Sequence, residues 1–530
     1  MKRTTQIKGV EIYDGTGNAS YVGDVNIEDG KFVETLCRAP DEIVDGTGLC
    51  AAPGFIDVHT HSDYCLGMAY NSLSRVSQGI TTQIAGQCGK SAAIRNAEMF
   101  DELIQDFPLI PCPGYDQAEQ FQTFAGYMDY VDHLPMVENT AFFVGHGNLR
   151  KWVIGYADRY PSHTELAQMK ELLAEAMEHG SPGLSSGLIY APGVYAGIDE
   201  LAELCKVVRQ YDGIYTTHIR SEGDKVLEAM AEAIEVARRS GCRLNISHLK
   251  VCGKCNEGLS EKMLDLIRRG QEEGISITAD QYPYAAGATG MSACIHPRHF
   301  TEGPEAFLEK LSDPYFRQVL KDEMLYPPQD FESSWISCGG PEGIGIGDCK
   351  ITLDARGKSI AQYAKETGKD PFDTLFDLLL DNRLEVLGIY HEMNESDVRR
   401  IIKMPYVLFG CDSAAPEPGT AGHPRTFGTF TRVLGRYVRE EGLLTMPEAI
   451  RRMTGLAAEV YGLKGKGYIR PGMDADLVLF SSKTVMDTAT YEQPEGLSRG
   501  IERVWISGET VYENGQLNQA RPGKGLRYGR

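Results

Sequence analysis

Gly-Phe-Ile-Asp-Val-His-Thr-His-Ser-Asp, residues 54–63, is the stretch that decides how the chain folds. An apolar run of Phe55, Ile56 and Val58 is interrupted by Asp57 and ends in two histidines two positions apart. Residues i and i+2 of a β-strand face the same side, so His59 and His61 are expected to project together from a strand's C-terminal end. Two imidazoles on one face make half of a divalent transition-metal site. The plainer alternative is a polar strand end carrying two solvated histidines. What lies downstream weighs between them.

Short apolar runs alternate with stretches of helical period along the middle of the chain. Expected strands are Phe55–His59, Thr82–Ala85, Ala141–Val144, Gly183–Ser186, Ile214–His218, Arg243–His248, Ile275–Ala279 and Val407–Cys411, eight in all. Within 222–240, Val226, Leu227, Met230, Ile234 and Ala237 recur as one apolar stripe. Strand–helix alternation repeated this often predicts an α/β fold, a (β/α)8 TIM-like barrel; a doubly wound open sheet is the competing architecture. Of the 12 histidines, His59, His61, His218 and His248 fall at expected strand C-termini, and the last strand ends in Gly410-Cys411-Asp412-Ser413. In a closed barrel those ends meet at one mouth. Four imidazoles and a carboxylate converging there predict a metal centre. His146, after the third strand, suits the mouth and a structural role equally well.

Two β-rich patches flank this middle. Val25 and Ile27 alternate with polar neighbours, Asp29-Gly30 is a hairpin turn, and Asp476–Phe480 and Glu502–Ser507 are strand-like. Residues 1–52 and 464–530 are therefore expected to form one small β-sandwich domain, with the barrel occupying 53–463. Between the seventh and eighth strands lies far more chain than one crossover needs. It holds its own helices (303–324 and 358–380) and a glycine-rich piece at 337–347, and it is expected to form an inserted, lid-like subdomain at about 286–350. Those glycines lack a strand–loop–helix context with a following Lys-Ser/Thr, so they do not read as a phosphate cradle.

With 53 basic and 74 acidic residues the net charge is −21, which argues against nucleic acid and anionic membrane surfaces as partners. An anionic small substrate stays compatible, because a few local cations override the global field. The N-terminal MKRTTQIKGVEIYDGTG lacks the apolar core of a signal peptide, and no apolar run approaches a membrane span. The 13 scattered cysteines are expected to be reduced thiols of a cytoplasmic protein. Cys252-x-x-Cys255 has no second CxxC to complete a zinc ribbon and reads as a loop with two thiols. The oligomeric state is not legible.

HxH after strand one, single histidines after strands five and six, and an aspartate after strand eight resemble the amidohydrolase superfamily of metal-dependent barrel hydrolases. Gly465-Lys-Gly-Tyr-Ile-Arg-Pro-Gly-Met-Asp-Ala-Asp-Leu-Val478 is similar to that superfamily's return into its small β-domain. Strand four, Gly183–Leu188, has no lysine of the kind that bridges two metals in many members. Strand two instead ends in Gly86-Gln-Cys-Gly-Lys-Ser91, where a Cys88 thiolate is a soft, strong zinc ligand; a buried apolar cysteine is the alternative. That motif, Ser186–Ala196, Asp280–Thr289, Thr217–Glu222 and His423–Phe430 together resemble the N-acyl-D-amino-acid deacylases (D-aminoacylases).

The resemblance implies a zinc hydrolase of linear amides that converts N-acyl-D-amino acids to a carboxylate and a free D-amino acid. A related enzyme acting on a cyclic amide, or on a dipeptide with a C-terminal D-residue, is the nearest alternative. It implies a tightly held zinc on Cys88, His218 and His248, and a second, weaker position at His59 and His61. Asp412 would be the general base and acid. Arg425 and Tyr282 would hold the substrate's α-carboxylate, and Tyr190 and Thr289 would line the acyl or carboxylate pocket. Arg425 as a surface arginine is the alternative for that residue. For Lys250, a contact to a second carboxylate and a solvated lysine stand side by side. Gln87 and Leu249 replace the family's more usual asparagine and histidine, and Thr431 stands where proline is common. Those departures bear on side-chain specificity more than on the reaction.

Overall fold

The structure, a computed structural model, describes residues 3–106, 117–329 and 331–529. Phe55–Asp57, Ile80–Ala85 and Asn139–Phe142 pair in parallel in one sheet. Val144–Gly145, Gly183–Gly187, Ile214–His218, Arg243–Ile246, Ile277–Gln281 and Val407–Phe409 follow in a second parallel sheet. Phe143 alone separates Asn139–Phe142 from Val144–Gly145, so these are two halves of the third barrel strand. The Val58 N–H donates to Phe409 O at 3.3 Å and joins the first strand to the last. The ring is closed: the fold is the (β/α)8 barrel, not an open sheet.

Strands covered on both faces read as continuous apolar or small runs, and every residue of Ile80–Ala85 is buried. The covering helices are amphipathic. In Val226–Ser240 the buried face includes Val226, Met230, Ile234 and Ala237, while Leu227 sits at its edge. Gly241, at φ +68°, ends that helix and returns its N–H to Ala237 O at 2.8 Å. Gly410 is needed where the last strand crosses the first, since a Cβ there would lie 2.4 Å from the Cβ of His59.

The two chain ends share a nine-stranded sheet in which Leu477–Phe480 pairs with Cys50–Pro53. Alternation explains how this sheet serves two cores. Leu477 and Leu479 face a core of Ile7, Val25, Phe32 and Trp505 inside the small domain, whereas Val478 and Phe480 face Phe55 and Ile80 of the barrel. The last residues leave the sheet: Leu526 N–H donates to Thr140 O and Tyr528 N–H to Gly180 O, both at 2.8 Å, strapping the C-terminus to the barrel.

The insert is a unit with its own core of Phe307, Leu311, Trp335, Leu375 and Leu379. Asp313 and Asp370 cap helices Pro314–Leu325 and Pro371–Asp381, each ahead of a proline at the first helical position. Its antiparallel sheet requires Val386–Tyr390, which pairs with both Gly287–Gly290 and Ile344–Cys349. The insert therefore reaches 390 and not about 350; the closing strand is remote in sequence from both partners, which hides it from local pattern. No helix among the described residues is long and apolar enough to cross a membrane.

Candidate metal centre and active site

At the C-terminal ends of the barrel strands, His59, Cys88, His248 and Asp412 are buried, and each brings one donor atom within 4.8 Å of the others. Cys88 Sγ lies 3.3 Å from His59 Nε2 and 3.3 Å from His248 Nε2. Asp412 Oδ1 lies 3.3 Å from His59 Nε2 and 3.1 Å from His61 Nε2. A second group, His218, Glu222 and His248, shares His248 with the first. His218 Nδ1 is buried without a hydrogen-bond partner, a costly state for an imidazole with no further purpose. A thiol, several imidazoles and carboxylates at this range fit a divalent transition metal.

The first strand ends at Asp57, so strand alternation does not extend to the two histidines as expected. They converge on Asp412 from different depths instead: the His59 side chain is fully buried and that of His61 is 25 % exposed. Backbone geometry does the aiming elsewhere. Cys88, His248 and Asp412 adopt φ of +53°, +36° and +48°, the left-handed region that non-glycine residues seldom occupy. Such strain, on the order of 1–3 kcal/mol per residue, concentrates at functional sites and persists only where surrounding contacts impose it. Here Asp412 N–H donates to His59 O at 2.7 Å and His248 N–H to Asp280 Oδ1 at 2.8 Å.

Three acids outside the expected site hold these groups. Asp57 Oδ1 accepts from the backbone N–H of His59 at 3.2 Å and of Cys411 at 2.9 Å, tying the first strand to the last. Asp280 Oδ1 stands 3.1 Å from His59 Nδ1 and so turns Nε2 toward Cys88. Glu222 lies 3.3 Å from His218 Nε2 and 3.1 Å from His248 Nδ1. All three occur in motifs visible in the sequence, but a carboxylate's partner across strands is not. Carboxylates that pair with ligating imidazoles tune metal affinity, so Glu222→Gln is expected to weaken metal binding roughly ten- to hundred-fold. Competition with a chromogenic chelator measures it; unchanged affinity would make Glu222 a bystander.

Charges follow from this packing. Burial pushes the Cys88 thiol up, yet the imidazoles of His59 and His248 outweigh it and hold the thiol well below its usual range. Burial likewise opposes ionisation of Asp412, but the Arg425 guanidinium, then His248 and His59, keep its carboxyl well below the carboxylate norm. His61 and His218 are each raised to about 9 against burial, by Asp412 and Glu222 respectively.

A cavity of about 2070 Å³ opens over these residues, spacious for a small-molecule site. His61, Cys88, His218, His248 and Asp412 line it, together with His296 and Phe331 of the insert. Arg425 is 4 % exposed, not a surface residue. Its Nη1 lies 2.8 Å from Asp412 Oδ2, Nη2 donates to Ala288 O at 2.9 Å, and the guanidinium stacks 4.6 Å from the Tyr282 ring centre. On another wall, Tyr190 OH and Thr289 Oγ1 are hydrogen-bonded at 2.8 Å. Lys250 is buried and not solvated: its ammonium donates to Glu222 and lies 2.8 Å from His248 Nδ1. His146 pairs with Glu200 at 2.8 Å in a buried cluster with Arg150 and lies off the cavity lining. Cys252 is buried and Cys255 exposed, both unpaired.

The amidohydrolase family profile matches residues 42–302 and 338–512. An N-acyl-D-aspartate deacylase of Alcaligenes xylosoxydans xylosoxydans is 35% identical over 98% of this chain and 94% of its own length. A D-aminoacylase of the same organism is 33% identical over 98% of this chain and 96% of its own. Among solved structures, the N-acyl-D-glutamate deacylase of Bordetella bronchiseptica, complexed with zinc and a phosphonate mimic of the tetrahedral intermediate, superposes with a TM-score of 0.80. It is 31% identical, and the match covers 99% of this chain and 100% of that one.

Proposed function

This chain belongs to the amidohydrolase family, and from that membership and the site we infer a metal-dependent hydrolase of N-acyl-D-amino acids. It cleaves the linear amide to a carboxylate and a free D-amino acid. The observation that carries the reading is the contact between Asp412 and Arg425: a carboxylate among the metal donors also touches a buried guanidinium facing the cavity. That contact supports reading Asp412 as the proton carrier and Arg425 as the carboxylate anchor.

Cys88, His218 and His248 would hold one tight zinc, and His59 and His61 a weaker second ion. A divalent ion bound there supplies an acidified water and positive charge beside the scissile carbonyl. Asp412 Oδ1 would take a proton from the attacking water and return it to the leaving nitrogen, which must depart as a neutral amine. Arg425 grips the substrate's α-carboxylate in a two-point fork, with Tyr282 stacked behind the guanidinium. Tyr190 and Thr289, hydrogen-bonded to each other, line the acyl or carboxylate pocket beside it. With carboxylate and carbonyl both fixed, the side chain and hydrogen at Cα exchange places between enantiomers, and only one arrangement fits. Lys250 offers a cation to a second substrate carboxylate only by exchanging Glu222. The described cysteines are all unpaired, which suits the reducing cytoplasm.

A screen of paired D and L N-acetyl amino acids, with metal quantified on the same preparation, tests the reaction. Turnover confined to D-substrates is expected; turnover of hydantoins or dihydropyrimidines instead would move the enzyme to cyclic amides. Arg425→Ala is expected to raise KM for free α-carboxylates roughly ten- to hundred-fold, the scale of a charge-assisted hydrogen bond. The corresponding α-carboxamide should be nearly indifferent to the change. An equal loss on both would remove Arg425 from carboxylate binding.

A further inference from the structure

The loop that precedes Arg425 carries a histidine to which no role in the reaction falls. His423 is 1 % exposed, yet both ring nitrogens are satisfied. Its Nδ1 accepts from the backbone N–H of Arg425 at 3.0 Å, and Nε2 lies 3.0 Å from Ala286 O. Because Nδ1 is an acceptor, the proton resides on Nε2 and is donated to that carbonyl. The ring sits among the aromatic faces of Tyr282, Tyr284 and Tyr491, and no carboxylate pairs with it among the described residues. Burial, then the Arg425 guanidinium, push the imidazole well below its ordinary value, so the neutral tautomer persists at working pH.

Arg425 opens the helix Arg425–Arg432, and the first N–H groups of a helix have no partner within it. The helix has no side-chain cap from Pro424, the residue at the capping position. His423 supplies the missing acceptor from one residue further back. At its other end, Arg425 donates from Nη2 to Ala288 O. Backbone and guanidinium of the same arginine thus hang on one short segment, through His423 to Ala286 and directly to Ala288. That segment leads into Gly287–Gly290, which carries Thr289.

We propose that His423 is a positioning residue for substrate recognition, a neutral imidazole strut holding the carboxylate-gripping arginine in register with the 286–289 wall. The inference rests on the assignment of Arg425 as the carboxylate anchor. It predicts a defect in affinity for carboxylate-bearing substrates, with metal content and the proton-transfer step spared.

Three variants separate the two bonds. His423→Ala removes both. In His423→Asn the amide oxygen replaces Nδ1 and accepts from the N–H two residues on, the geometry of an Asx-turn. In His423→Gln the amide nitrogen replaces Nε2 and reaches Ala286. Each is assayed on the N-acetyl-D-amino acid turned over fastest and on its α-carboxamide, with bound metal and Tm measured alongside. His423→Ala is expected to raise KM for the free acid about ten-fold at little change in kcat, with the carboxamide unaffected, as befits loss of roughly one hydrogen bond. His423→Asn is expected to recover KM to within about three-fold of the parent, and His423→Gln to recover less. If His423→Ala does not fold, the ranking of Asn above Gln decides.

Equal losses on acid and carboxamide, a fall in kcat with KM unchanged, or Gln outperforming Asn would each overturn the proposal. Arg425→Ala, run in parallel, keeps the two ideas apart. If it spares the free acid, the anchor assignment fails; if it raises KM while the His423 variants do not, only the strut fails.

Discussion

Asp412→Asn is expected to abolish turnover, by about a thousand-fold or more, while the metal stays bound. Asparagine keeps the size and one oxygen of the side chain but neither accepts nor delivers a proton at that position. General acid–base catalysis contributes about 10²–10⁴ in rate, and here one carboxylate serves both proton transfers. Asp412 is well placed for such a clean test. Its backbone N–H is held by His59 O at 2.7 Å, independent of the side chain, so the loop should survive the substitution. Steady-state rates on the free acid and zinc content by atomic absorption are the two readings. Substantial surviving activity with metal present would remove Asp412 from the proton-transfer role. Loss of metal together with activity would make it a ligand first.

Cys88→Ala is expected to strip the tightly held zinc. The thiolate is the softest donor in the cluster, and the imidazoles around it are neutral ligands when they bind metal. If a four-donor zinc site is worth about 10–16 kcal/mol, one lost donor weakens binding roughly a hundred- to thousand-fold or more. Alanine inherits the left-handed backbone of Cys88 at φ +53°, so the variant keeps the parent's strain while losing only the sulfur. Equilibrium dialysis against a zinc buffer measures the affinity, with Tm as a check on folding. Unchanged affinity would mean the ligand set is wrong, and that the Sγ contacts of 3.3 Å to His59 and His248 are packing alone.

Much of this site was legible in the linear chain because barrel strands end at the same mouth. A polar residue closing an apolar run becomes a candidate without any knowledge of its neighbours, which is how His59, His218, His248 and Asp412 declare themselves. Cys88 is less visible, since it follows its strand by a turn and buried cysteines are common. Resemblance, more than spacing, brought it forward. Glu222, Asp280 and Asp57 escaped for a different reason: each holds a group on another strand, and the pairing depends on register between strands. His423 escaped because its two bonds, to a backbone N–H and a carbonyl, leave no chemical signature in the residue type.

The sequence by itself determined the alternating strands and helices, the small domain assembled from both chain ends, the insert between the last two strands, and the polar residues gathered at the barrel mouth. Those are local properties: periodicity, turn residues, and a polar residue after an apolar run. Only the tertiary structure decided how the donors group. The opening His59-x-His61 pair was expected to share a strand face, but pairing stops at Asp57. What sets the two rings is Asp280 behind His59 and Asp412 between them. The same holds for the left-handed turns at Cys88, His248 and Asp412, which no local preference favours. The closed barrel imposes them, because contacts from neighbouring strands outweigh the strain they carry.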